Sequence, residues 1–175
     1  MESTRAPLAT LAALLVVWWL HMRHFLQRLP DRIATHFGTA GVPNGWMSRE
    51  ALGTFDLVFL AFVLTVVIGS AYLIRFLPVS LINVPHRDYW FAPERRRQSH
   101  ARMFVHTLWL ACLMVAFLIA VNQLIFVANL RPGPPHLRSR DFFVVPVGFL
   151  LAVIAWAVRL FRLFPRPPAS APPRA

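Results

Sequence analysis

Apolar residues gather into four stretches, separated by polar links rich in arginine, proline and glycine. These apolar stretches predict helices over about 7–24, 50–76, 93–130 and 142–163. Each is long enough for a hydrocarbon core that needs roughly 20 helical residues. The pattern therefore predicts an all-α integral membrane protein with four transmembrane helices and a short structured first loop.

The boundaries follow from local chemistry. The first span comes after Arg5 and ends near Trp18 and Trp19; no small residues stand there for signal-peptide cleavage, so a retained helix is expected. Ser48 is a suitable cap for the second span, which stays free of charge from Leu57 to Ile74 and ends at Arg75 and Pro78. Pro93 followed by Glu94 makes a good first turn for the third span, and nothing breaks that helix before Leu130. At 1.5 Å per residue it runs roughly 55 Å, against a hydrocarbon core of about 30 Å. Its polar turns from Glu94 to Arg102 should therefore stand in headgroups and water. Asp141 is the expected cap of the fourth span, with Pro146 close to its start. The proline-rich stretch 165–175 cannot build a core and reads as a disordered tail.

Composition agrees with the pattern: of 175 residues, 57% are hydrophobic and only 14% charged, where a soluble domain carries about a quarter charged. The formal charge of +11 comes from arginine alone among the basic residues. In a soluble chain that excess would suggest nucleic acid. Here the arginines sit in short links between apolar spans, so anionic lipid headgroups are the expected partners and nucleic acid is not. Eleven arginines lie in the amino terminus, the second link and the segment from Arg159 onward, against seven in the first and third links. That asymmetry predicts both termini and the second link on the cytoplasmic side of the membrane. The single cysteine, Cys112, lies inside the third span, which leaves no intramolecular disulfide.

Two links carry most of the remaining information. In the first, Ile33, Thr35 and Phe37 alternate with Ala34 and His36, which suits an extended piece, and Asn44-Gly45 favours a tight turn. Gly38, Gly41 and Gly45 suggest one definite shape, with Gly41 and Gly45 in conformations that other residues reach only with strain. In the second, Tyr89, Trp90 and Phe91 stand beside Arg87, Arg95, Arg96 and Arg97. Aromatics settle at headgroup depth and guanidinium groups take phosphates in pairs of hydrogen bonds, so Arg87, Tyr89, Trp90, Arg95 and Arg96 are candidates for a lipid-interface collar.

The run Leu29-Pro30 through His36-Phe37, then Gly41 to Asn44-Gly45-Trp46 and Ser48, resembles the signature of a bacterial membrane domain of unknown function. That domain also forms the amino-terminal part of SdpI-like toxin-immunity proteins. The stretch from Asn83-Val84-Pro85-His86 to Glu94-Arg95-Arg96 is similar to a downstream motif of the same family. The resemblance covers about residues 8 to 130 and implies a helical membrane architecture. It further implies immunity to, or sensing of, a secreted peptide. The longer immunity proteins continue into a further carboxy-terminal membrane region. Because the resemblance and the most constrained backbone coincide in the first link, His36, Phe37, Gly41, Asn44, Gly45 and Trp46 are the candidate partner-binding residues, for a peptide or a membrane-protein partner.

Polar groups within a span are costly and mark candidate sites. Asp56, Asn122 and Gln123 are the main ones, with His106 beside them. Asp56 lies eight residues from Ser48 and Asn122 eight from Leu130, so antiparallel neighbours would bring those two to one depth. A bond between them would satisfy both, either as helix glue or as a proton- or ligand-handling site. Small residues at four-residue spacing, Ala61, Thr65 and Gly69 against Gly148 and Ala152, suggest a helix-packing seam. His21, His24 and His36 could in principle hold zinc, yet no carboxylate is placed to orient them, so neither metal nor cofactor is expected. A non-catalytic membrane protein is the expected class. A small transporter or channel subunit is the alternative, and a membrane enzyme the third.

Overall fold

The computed structural model describes residues 3–168. Four helices are long and apolar enough to cross a membrane. They are α1 (Arg5–Leu26), α2 (Arg49–Leu73, extended by a 3-10 turn at Ile74–Phe76), α4 (Pro93–Leu130) and α5 (Ser139–Arg162). A single-turn helix, α3 (Arg87–Trp90), precedes α4. The first link is a two-stranded antiparallel hairpin of β1 (Arg32–Phe37) and β2 (Pro43–Ser48).

The starts of α2 and α4 agree with their sequence signals. Ser48 stays extended while its Oγ accepts from the Ala51 amide at 3.1 Å, and Pro93 occupies the first turn of α4, where its missing N–H costs nothing. Asp141 is not the cap expected of it: α5 begins two residues earlier, at Ser139, behind Arg138. Asp141 sits within the first turn, where its charge still faces the positive helix end. The helix runs on through Pro146.

The long α4 is the hub on which α1, α2 and α5 each pack. Its inward residues Ala111, Cys112 and Val115 are small, so Leu11 and Trp18 of α1 and Leu60 of α2 close on them. On the other side, the His106 ring stacks on Trp156 of α5 at 4.6 Å. Trp156 Nε1 donates to the His106 carbonyl at 2.9 Å, and His106 Nε2 lies 3.0 Å from the Trp156 carbonyl. Because α4 lies between the others, the expected seam of Ala61, Thr65 and Gly69 with Gly148 and Ala152 does not form. A Cβ added at Gly69 or Gly148 would meet nothing within 4 Å. The outward faces of α2 and α5 instead present Phe55, Val58, Phe62, Phe143 and Leu151 to the surroundings, as suits lipid contact.

At the end opposite the hairpin, the second link folds back on the bundle. Ile82, Val84 and Phe91 pack with Met103 and with Phe164, which is 1% exposed. Phe91 is thus a core residue and not part of an interfacial collar. Of the expected tail, Pro165 receives a hydrogen bond from Trp90 Nε1 at 3.0 Å, and residues 169–175 lie outside the described residues.

Candidate functional site

The hairpin is fastened to the bundle at its base, its middle and its tip. At the base, the Arg49 amide donates to the Asp31 carbonyl at 3.0 Å, and its guanidinium reaches the Asp31 carboxylate at 2.7 Å. Ile33, fully buried, and Met47 pair across the strands and join the helix core. In the middle, Asn129 in the last turns of α4 takes the place of a neighbouring strand. Its Oδ1 accepts from the Ala34 amide at 2.8 Å, and its Nδ2 donates to the Ala34 carbonyl at 2.9 Å. Ala34 is 0% exposed, so these bonds satisfy groups that water does not reach.

At the tip, the turn lies over residues 38–42 and not at Asn44-Gly45. Gly38 donates to the Val42 carbonyl and Gly41 to the Gly38 carbonyl. Gly41 has φ +74°, and a Cβ there would collide with the Leu137 carbonyl oxygen. Leu137 in turn donates to the Gly41 carbonyl at 3.0 Å, pinning the tip to the α4–α5 link. Asn44 and Gly45 lie within β2, since the turn formed where a left-handed glycine was available. Gly45 needs no left-handed backbone, contrary to expectation. It is small because His36 packs across from it: an added Cβ would come within 2.9 Å of His36 Nδ1.

Register shifts at Ala34/His36 and His36/Phe37 leave Thr35 and Asn44 without cross-strand partners. Such bulges twist a ribbon and re-aim its side chains. The result is an outward surface on a fixed backbone. His36, Asn44 and Trp46 are exposed, Phe37 is half-buried and Gly41 is buried. The Arg32 guanidinium lies 5.0 Å from the Trp46 ring, with Val42 exposed at the tip. Trp46 keeps 42% of its surface open. This combination of aromatic face, cation and apolar tip can contact a peptide or another protein.

Beneath the hairpin lies a polar cluster within the bundle. Asp56, 2% exposed, accepts from Asn122 Nδ2 at 2.9 Å and from Trp18 Nε1 at 2.7 Å. The carboxylate thus joins α1, α2 and α4 through one hydrogen bond to each of its oxygens. Gln123 faces a different partner, with its Oε1 2.8 Å from His21 Nε2. The His21 ring packs against Phe25 and Phe126. Depth counting leads to the Asp56–Asn122 bond but misses Trp18. Asn129 was also missed, although it lies seven residues, two helical turns, beyond Asn122 on the same face.

The histidines considered for zinc have separate environments: His21 meets Gln123, His24 meets Arg28 and His36 meets Thr35. Among the described residues no group of three or more metal-ligating side chains converges.

In the second link, Arg87 donates to the Ser80 carbonyl at 2.7 Å, and Arg95 donates to the Tyr89 carbonyl at 2.8 Å while lying over the Tyr89 ring. These two guanidinium groups brace the link itself. Tyr89 and Trp90 are half-buried, and Trp90 also accepts at its carbonyl from Ser99 Oγ at 2.6 Å. Arg96 lies on the exposed side of α4 and points towards Arg75, away from the arginines expected to act beside it.

Residues 8–62 match a family described as a domain of unknown function, DUF1648. The matched stretch takes in most of α1, the whole hairpin and the first half of α2. Trp18, Asp56 and the hairpin surface therefore fall inside it, and Asn122, Asn129 and the second link fall outside. No curated protein and no solved structure matches the chain.

Proposed function

We propose that this is a non-catalytic protein of the bacterial inner membrane that recognises a secreted peptide or a membrane-protein partner through its hairpin, in SdpI-like immunity or sensing. One observation carries the proposal: the hairpin is fixed to the bundle through Asp31, Ala34 and Gly41, while His36, Trp46 and Val42 remain open on its surface. A surface ordered before binding loses less entropy when a partner arrives. The arginine asymmetry supports placing this end outside the cytoplasm, where a secreted peptide would meet it.

The test is protection of growth. A strain lacking the protein should become sensitive to a peptide secreted by its own species or a neighbour, and the wild-type gene should restore resistance. His36→Ala combined with Trp46→Ala should accumulate in the membrane normally and fail to restore it. Neither side chain spans the bilayer or fills the core, so lost protection with normal accumulation means lost recognition. Full protection by the double variant would refute recognition at this surface.

A further inference from the structure

At the end of the bundle opposite the hairpin, a cleft of about 570 Å³ opens between the last turn of α2 and the first turns of α4. Arg75, Arg96, Arg97 and His100 line it, with Ala71 and Phe104 forming an apolar wall. Among the described residues none of these three arginines is paired with a carboxylate, and none of the cleft's lining residues is acidic. Three guanidinium groups around one concavity repel each other unless an anion joins them.

Arg75 is held in place. The Arg75 guanidinium lies 3.4 Å from the Tyr72 ring centroid, and its Nε donates to the Tyr72 carbonyl at 3.1 Å. Arg96 reaches the Arg75 carbonyl at 3.4 Å, a long contact that leaves most of its donors uncommitted. The His100 ring packs beside Phe91 at 5.2 Å, and its Nε2 is buried with no hydrogen-bond partner.

Position selects among anions. The charge-free run of α2 ends at Ile74, one residue before Arg75, and α4 becomes apolar from Met103 onward. The cleft therefore lies where hydrocarbon gives way to headgroups, with donors on the polar side and Ala71 and Phe104 towards the acyl chains. We propose that it binds the phosphate of an anionic phospholipid, with Arg75, Arg96 and Arg97 donating to the phosphate oxygens and the apolar wall receiving the upper part of an acyl chain. The site is distinct from Arg87 and Arg95, which brace the second link, because Arg75, Arg96 and Arg97 line one cleft between α2 and α4 that those two do not line.

The test uses the full chain in phosphatidylcholine nanodiscs, with binding of phosphatidylglycerol read by native mass spectrometry. Arg96→Gln with Arg97→Gln should weaken binding at least about tenfold, given the strength of charge-assisted bonds. Arg5→Gln with Arg159→Gln removes the same charge elsewhere and should leave binding unchanged. Equal weakening by both pairs would show diffuse attraction and overturn the site. Inorganic phosphate or glycerol 3-phosphate that displaces the lipid at equal concentration would assign the cleft to a soluble phosphate, and overturn the lipid reading. Should the cleft variant not fold, wild-type protein gives the answer through phenylglyoxal modification. Phosphatidylglycerol should slow modification of Arg96 and Arg97 but not of Arg159, and an equal effect on all three would contradict the proposal.

Discussion

Asn129→Ala should detach the middle of the hairpin from the bundle without unfolding the four helices. The side chain supplies both partners of the Ala34 backbone, at 2.8 and 2.9 Å, and alanine leaves that amide and carbonyl buried and unpaired. Each stranded group costs about 1–3 kcal/mol, and the hairpin escapes the cost by lifting away from α4. Amide exchange at Ala34 and Ile33 should rise by one to two orders of magnitude, in line with roughly 1.4 kcal/mol per factor of ten. Exchange in the middle of α4 should hardly change. Asn129→Asp keeps an acceptor but no amide donor and should fall between the two, because the Ala34 carbonyl is then still orphaned. Unchanged exchange at Ala34 in the alanine variant would show that the hairpin is held by Asp31, Ile33 and Gly41 without Asn129.

Asp56→Ala should have the largest effect on the helices themselves. It strands Trp18 Nε1 and Asn122 Nδ2 together, where each donor now reaches its own carboxylate oxygen. Hydrogen bonds between membrane helices are worth about 0.6–2 kcal/mol each, so losing both should lower stability in detergent by about 1–4 kcal/mol. Once Asp56 is gone, Asn122→Ala or Trp18→Phe should cost much less than in the wild-type background. Additive losses across a double-mutant cycle would show that the side chains do not interact. Asp56→Asn keeps an acceptor for one donor and should recover part of the loss.

The four spans were legible because lipid imposes a length and a lack of charge that a sequence displays directly. The Asp56–Asn122 bond was legible for a related reason, since a polar group in a span must find a partner at its own depth. Which helix packs on which was less so. A transmembrane helix is apolar on every face, so hydrophobic periodicity does not mark its inner side. The small-residue ladder of α2 therefore suggested a seam that the central α4 pre-empts. In the first link, Asn44-Gly45 has the composition of a tight turn, yet Gly41 takes the left-handed position because the Leu137 carbonyl lies where a side chain would go. Contacts 95 residues apart, such as Asn129 with Ala34, leave no local trace except an amide two turns from another amide on one helix face.

Recognition at an outward hairpin is tested most directly in intact cells that express Asn44→Cys in place of the wild-type chain. The native Cys112 is buried and should not compete for reagent. A membrane-impermeant maleimide should label the new thiol without permeabilisation and abolish protection in the same cells, because the adduct sits beside His36 and Trp46. Complete labelling with protection intact would contradict recognition at the hairpin, and labelling only after permeabilisation would contradict its outward placement.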